Sequence, residues 1–431
     1  MRTSTRPRLA VAAGTAAVAL VAAGCSSSST AASDESGDGE VTLTVATFNE
    51  FGYEELFDQY MEENPNVTIV HRKAATSNEA RDNLTTRLAA GSGLADIEAV
   101  EVDWLPELMQ YSDQFVDLSD PELEGRWLEW KAAQATTPDG QLIGYGTDIG
   151  PEAICYRSDL FEAAGLPTDR AEVADLLGTT WEDYFAAGEQ FSAQSEVPWF
   201  DSAQAIYQGM INQVENAYEE SDGTPIPLAD NTEVQDLYEQ VLAAGVDDGL
   251  SARLAQWSED WTNAFQNDGF ATMLCPAWML GVIEGNAAGV EGWDVANTFP
   301  NGGGNWGGSF LTVPTQSENP EAAQALAAWL TAPEQQLVAF QSKGTFPSQV
   351  EALDSEELAG LSNAFFNDAP TGEIFADRAA AVEVAPFKGP NYFAIHQIVS
   401  DAITRVEVSQ TDDAASSWTK AEQAYDELGL S

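Results

Sequence analysis

The sequence predicts an α/β protein with central sheets, and three observations carry that prediction. Strand and helix patterns alternate from Val41 to Val100, the alternation resumes beyond Ile143, and no residue-level repeat runs through the chain. The last point removes solenoids and propellers. With 431 residues, 44% of them hydrophobic, the chain is long enough for two or three domains with substantial cores.

Val41-Thr42-Leu43-Thr44-Val45-Ala46 is β-rich and runs into a turn at Thr47-Phe48-Asn49-Glu50. Tyr53, Leu56, Phe57, Tyr60 and Met61 then recur with helical spacing until Asn64-Pro65-Asn66, and Val67 to Val70 reads as a second strand. Ala80 to Ala90 carries Leu84 and Leu88 on one face, is closed by Gly91-Ser92-Gly93, and leads to a third strand from Ala95 to Val100. Beyond it, Ile143 to Tyr156 is extended and interrupted by glycine, and Leu160 to Ala164 is a short helix ended by Gly165-Leu166-Pro167. Thr180 is placed as the N-cap of a helix reaching Phe191, with Glu182 and Asp183 in its first turn. Phe270 to Cys275 reads as a buried strand, and Glu321 to Leu330 as a helix with Ala322, Leu326, Trp329 and Leu330 on one face.

The N-terminus is read as a targeting segment. Arg2, Arg6 and Arg8 form a basic n-region, Leu9 to Ala23 an apolar h-region, and Ala22-Ala23-Gly24-Cys25 a small-residue cleavage site. At about fifteen residues the h-region is too short to span a bilayer stably. The Cys placed after small residues resembles the lipobox of bacterial lipoproteins, with Ala22 where that motif prefers Leu; the resemblance implies cleavage after residue 24 and a lipid on Cys25. Residues 25–40 are polar and Gly/Ser-rich, as a flexible tether is. A soluble body held to the membrane only by its lipid, on the extracellular face, is expected.

Charge narrows the partners. Without the three signal arginines, 14 basic residues stand against 70 acidic ones, a net charge of −56. Such a surface repels phosphate backbones, which excludes nucleic acid, and it disfavours an anionic ligand because the few arginines are scattered. Cys155 and Cys275 remain after Cys25 is set aside, either bonded to one another or present as two buried thiols. His71 and His396 lack ligand spacing to them, so no metal and no cofactor is expected.

Several segments in order resemble the extracellular solute-binding proteins of carbohydrate ABC importers, the class with maltose-binding-protein architecture. They are the opening strand and helix, Leu88 to Gly93 leading to Asp96, Leu142 to Gly146 before the Tyr156 strand, and Gly165-Leu166-Pro167 with Thr180-Trp181. Asp268 to Met273 ahead of Trp278, Pro320 to Ala323, and Lys343 to Ser348 complete the series, which covers nearly the whole mature chain. Ile149 to Arg157 and Gly302 to Phe310 look most like actinobacterial cello-oligosaccharide-binding lipoproteins. The resemblance implies two discontinuous α/β lobes joined by a hinge, the type II periplasmic binding protein arrangement. Residues 41–148 with 299–347 would form one lobe and 149–298 with 348–431 the other, with crossings near Thr147 to Pro151, Ala296 to Pro300 and Phe346 to Val350. Ligand would lie between lobes that close by hinge rotation.

Sugar recognition needs flat apolar faces for a pyranose ring and fixed polar groups for its hydroxyls. Of twelve tryptophans, Trp278 follows a strand end where the resemblance places a stacking aromatic, and Trp306 sits in a glycine-rich loop with little around to bury it. These two are expected to line one cleft from opposite lobes and to stack on different sugar units. Tyr207 and Tyr392 align with cleft aromatics of the family, with an ordinary core role as the alternative. Asn49 ends the first strand and Asp103 follows the third, both on the ligand side of an α/β sheet; Asp148 lies on a crossing, and Lys388 occupies a tight Phe-Lys-Gly-Pro loop. Trp104, Trp181 and Trp329 are read as structural, and the glycines of Gly302 to Gly308 lack the Lys-Ser/Thr of a phosphate loop. The expected function is a monomeric, non-catalytic module that captures an oligosaccharide, of the cellobiose or cello-oligosaccharide type, for an ABC import permease. A secreted glycosidase, and the same fold taking a cationic ligand, are the competing readings.

Overall fold

The computed structural model describes residues 39–430. The expected leader, the Cys25 lipidation site and the tether up to Asp38 lie outside these residues. The strands are β1 (Val41–Phe48), β2 (Val67–Ala74), β3 (Ile97–Glu101), β4 (Tyr145–Gly146), β5 (Asp148–Ile149), β6 (Glu152–Arg157), β7 (Thr272–Pro276), β8 (Trp293–Ala296), β9 (Ser309–Thr312) and β10 (Phe346–Pro347).

A five-stranded sheet has the order β2-β1-β3-β9-β4. β1 runs parallel to β2, from Val41 opposite Val67 to Phe48 opposite Ala74, and parallel to β3 at Val45 and Ala46. Leu43, Val45 and Thr47 alternate inward along β1, the period of two that a half-buried strand shows. The connecting helix Glu54–Glu63 buries Leu56, Phe57 and Tyr60. The next helix, Ser77–Ala90, begins where Thr76 accepts the Glu79 N–H and ends at Gly91, whose left-handed backbone (φ 66°) suits a residue without Cβ. β9 arrives some two hundred residues later and pairs antiparallel with β3, Glu98 opposite Thr312 through Glu101 opposite Ser309. The sheet is thus mixed, completed by a distant piece of chain.

The second sheet, β7-β6-β8, is antiparallel throughout and buried on every residue of β6 and β7. Cys155 and Cys275 are diagonal neighbours across the β6–β7 ladder, with Cα atoms 5.4 Å apart, and are joined by a disulfide. The helix Trp181–Ser192 starts in a full capping box, Thr180 and Asp183 each bonding the other's backbone N–H. β5 and β10 form a two-stranded ladder of their own, Ile149 opposite Phe346 and Asp148 opposite Pro347. Two segments expected as crossings therefore pair with each other.

Separate cores sit against the sheets. One packs Leu43, Val45, Ile97, Phe310 and Leu326 on the first sheet; a second gathers Tyr156, Trp181, Trp199, Tyr207 and Tyr392; a third holds Cys155, Cys275, Trp261, Phe340 and Phe346. Among the described residues no helix is long and apolar enough to cross a membrane.

The disulfide closes a loop with a sequence separation of 120 residues. By loop-closure entropy such a link stabilises the fold by about 5 kcal/mol. The double variant C155A/C275A is expected to lose most of that in denaturant titrations, and an unchanged midpoint would show the link to be energetically idle.

Candidate functional site

The cavity of about 350 Å³ lies between the first sheet's strand ends and the helices of the second core. One wall comes from the ends of β1 and β3, at Phe48, Asn49, Glu101 and Asp103. The facing wall comes from two helices. Gln204 and Gln208 stand one turn apart on Ala203–Ile211. Phe393, His396, Gln397 and Ser400 form an i, i+3, i+4, i+7 stripe on Tyr392–Glu407.

Trp257, Trp278 and Trp306 form a continuous aromatic corner. The Trp257 ring stacks on Trp278 at 6.2 Å and 21°, and Trp278 meets Trp306 edge to face at 5.6 Å and 87°. The Trp278 indole N–H donates to the Trp306 carbonyl at 2.8 Å. Trp278 and Trp306 both line the cavity and touch one another there, where stacking faces on opposite lobes were expected. The reason is local: the Trp306 N–H donates to Gly150 O (2.8 Å) and the Gly150 N–H to Asn305 Oδ1 (2.9 Å), which sews the glycine-rich loop to the start of β6. A Cβ at Gly150 would lie 1.8 Å from the Trp306 carbonyl oxygen, so this approach requires glycine.

Of the other expected residues, Asn49 and Asp103 line the cavity. Asn49 adopts a left-handed backbone (φ 44°), which asparagine tolerates, and its buried Oδ1 has no hydrogen-bond partner among the described residues. Asp148 also reaches the lining, but its Oδ1 is taken by the Ser309 N–H (2.9 Å) and the Thr147 hydroxyl (2.6 Å), a framework role joining β5 to β9. Three residues are corrected to supporting positions. Lys388 is largely buried and ion-paired to Asp103. Tyr207 is fully buried, its hydroxyl bonded to that of Tyr218, which meets His396 Nδ1 at 3.0 Å. Tyr392 is also fully buried, stacked on His396 at 5.8 Å and 5°. Both tyrosines brace the helix that presents His396 and Gln397, and neither lines the cavity.

Burial sets the charge states here. Desolvation, reinforced by Asp103 and offset by Lys388, pushes the Glu101 carboxyl up to about 8. Desolvation pulls Lys131 down to about 7 against the attraction of Asp148 and Glu101, and its ammonium lies 3.8 Å from the centre of the Phe310 ring. His396 is pulled down to about 4 by burial and is neutral at pH 7. Among the described residues no group of three His, Cys, Asp or Glu side chains is arranged to hold a metal ion.

Sequence reasoning missed Trp257, Glu101, and the Gln204/Gln208 and Phe393-to-Ser400 stripes. Trp257 was findable, since it sits in a non-periodic stretch just before the Ser258 cap and remains 37% exposed. The stripes have helical spacing but are polar, a pattern usually assigned to solvent.

An apolar corner in one cavity with amides and carboxylates, at the strand ends of an α/β framework, defines a capture site for a small polar ligand. The chain belongs to the bacterial extracellular solute-binding proteins, whose family model matches residues 55–365. The arabinooligosaccharide-binding protein of Bacillus subtilis (strain 168) is 27% identical over 330 residues, 72% of each chain. The crystal structure of an extracellular solute-binding protein of family 1 is 51% identical, with 90% of this chain and 99% of that one covered, and superposes with a TM-score of 0.78. The ABC-transporter-associated binding protein of B. animalis subsp. lactis Bl-04, solved with β-1,6-galactobiose, is 18% identical over 90% of this chain and 97% of that one, TM-score 0.76. The fold is the type II periplasmic binding protein arrangement of two hinged α/β lobes.

Two substitutions separate site from support. Trp257→Ala removes a partly exposed stacking face and should cost about 1.5 to 3 kcal/mol of ligand affinity with little change in Tm. Tyr392→Ala empties a core position and should cost about 3 to 5 kcal/mol of stability. Calorimetry and thermal unfolding of both variants check the assignment, and an exchange of the two phenotypes would refute it.

Proposed function

We propose that the cavity captures a short neutral oligosaccharide outside the cell, of the cellobiose or cello-oligosaccharide type, and releases it unchanged to an ABC import permease. The observation that carries this reading is the Trp257–Trp278–Trp306 corner in one cavity with the Gln204, Gln208 and Gln397 amides and Asn49. Indole faces suit the C–H side of a pyranose, and uncharged amides both donate to and accept from hydroxyls. The sugars named for the Bacillus and Bifidobacterium relatives support the ligand class. A monomer tethered through a lipid on Cys25 fits a protein that works outside the cell beside its permease. Lobes of 41–148 with 299–347 and of 149–298 with 348–431 suit closure over such a ligand. In support, β9 completes the first sheet, β7 and β8 flank β6 in the second, and β5 pairs with β10 between them.

Calorimetry of the mature body against cello-, xylo-, malto-, galacto- and arabino-oligosaccharides tests the reading. A cello-oligosaccharide should bind one to one with a Kd of about 1 μM, near −8 kcal/mol, nearly independent of salt, because stacking and neutral hydrogen bonds carry no long-range Coulomb interaction to screen. The sugar should be recovered intact, and release of glucose would replace the binding module with a glycosidase. No binding across the panel would remove the oligosaccharide reading.

A further inference from the structure

The acids and bases around the cavity are unevenly engaged. No Lys or Arg side chain is among its lining residues, whereas Glu50, Glu101, Asp103 and Asp148 are. Glu50 is held by Lys73 at 2.5 Å and by Lys343 at 3.6 Å. Asp103 is paired with Lys388, and Asp148 accepts from Thr147 and Ser309 at Oδ1 with the Lys131 charge nearby. Glu101 has no ion-pair partner among the described residues, and only one of its carboxylate oxygens accepts a hydrogen bond. Its Oε2 accepts the Asp103 N–H at 2.9 Å. Its Oε1 lies beside Gly307, where an added Cβ would sit 3.7 Å from that oxygen and 3.3 Å from the Trp278 indole nitrogen. Gly307 (φ 79°) therefore keeps the space open between the aromatic corner and the carboxyl.

We propose that Glu101 is a specificity-determining residue that selects sugars bearing a free amino group, and rejects those bearing a carboxylate, at the position beside Trp278 and Gly307. The inference rests on the reading that the cavity takes an oligosaccharide and departs from it in one respect, since the favoured sugar carries an amino group and is not neutral. A buried carboxylate without a cation either takes up a proton or acquires a cation from the ligand. Free Glu101 takes the first course, as burial and neighbouring Asp103 raise its pKa to about 8. A glucosamine ammonium supplies the second: the protonated Glu101 carboxyl gives its proton to solvent, and the carboxylate pairs with the ammonium. A uronate at the same place would bring a second carboxylate next to Glu101 and Asp103 with both nearby lysines already engaged, Lys388 by Asp103 and Lys131 beside Asp148 and the Phe310 ring.

The sign of the pH effect follows. Below about pH 8 the raised Glu101 pKa means a proton must be lost before the pair forms. The preference should therefore be weaker at pH 6 than at pH 7.5. The other groups near Glu101 are Asp103, Lys388, Lys131 and Asp148, with His396 on the facing helix neutral across this range.

The test compares cellobiose, the β-1,4-linked disaccharide of glucosamine, and cellobiouronic acid by calorimetry on the mature protein, at both pH values and in buffers of different ionisation enthalpy. The amino disaccharide is expected to bind roughly tenfold tighter than cellobiose at pH 7.5, about 1.4 kcal/mol, with a smaller margin at pH 6. Its proton linkage should differ from that of cellobiose, Glu101 losing a proton and any unprotonated ligand amine taking one up, and the uronic acid should bind weakest. In Glu101→Gln the ratio of amino-sugar to cellobiose affinity should fall toward one, and the Glu101 share of the proton exchange should vanish. An amino disaccharide that binds no tighter than cellobiose at pH 7.5, or whose advantage survives in Glu101→Gln, overturns the inference. Binding of any neutral sugar in that case leaves the oligosaccharide reading in place, and no binding by any sugar removes both.

Discussion

The approach of the Gly150 backbone to that of Trp306 is the constraint on which the site depends. The absence of a side chain at position 150 lets Trp306 and Asn305 bond to the Gly150 peptide groups. That contact fixes the Trp306 carbonyl, which receives the Trp278 indole N–H, and Trp257 lies on Trp278. Three indoles from separate parts of the chain are thus held in one arrangement, two stacked and the third edge-on. One residue on, Pro151 bridges Asn305, and just before it Asp148 binds the Ser309 N–H. The loop that carries Trp306 and the segment between the two large sheets are therefore one hydrogen-bonded unit. A displacement at this junction would move the ligand's stacking surface with it.

Charge imposes a second constraint. With 17 basic residues against 70 acidic ones in the full sequence, burying a lysine withdraws a scarce neutralising group from the surface. Lys131 and Lys388 are nonetheless both buried at the cavity's edge. Each stands where carboxylates converge, and removing either would leave uncompensated negative charge in low-dielectric surroundings. The acidic surface and the neutralised floor are separate matters. Outside, like charges repel one another, while inside Lys388 pairs with Asp103 and Lys131 partly offsets the burial that pushes the Asp148 carboxyl up.

The order of elements in the first 100 residues was legible because period-two and period-3.6 patterns alternate there with clear caps and turns, and the Thr180 cap was legible from its side-chain chemistry. The mixed first sheet was not, since nothing local at Ser309–Thr312 states that its partner is β3. In the site, Asn49, Asp103, Trp278 and Trp306 could be named from strand ends and loops, but the direction of Trp306 depends on a backbone contact across more than 150 residues. Tyr207 and Tyr392 were misread because an aromatic near a cleft and one beneath it look alike in sequence.

Those two tyrosines show what the missed stripe required. A helix that offers His396, Gln397 and Ser400 to a ligand must bury its other face firmly, or the polar groups will have no fixed position. Tyr392 and Tyr207 both lie nearly parallel to the His396 ring, at 5° and 19° to its plane, and Tyr218 bonds its Nδ1. The imidazole is thereby held neutral and oriented, with desolvation lowering its pKa to about 4. Protonating it would place a cation among stacked aromatic rings with little water, so its charge stays fixed throughout the neutral range. On this wall the site's polarity is therefore one of oriented dipoles, the two glutamines of Ala203–Ile211 included. The proton-sensitive groups, Glu101 and Lys131, belong to the opposite side, where the first sheet ends. The cavity is thus divided into a face whose charge is constant and a face that can respond to the charge of what enters.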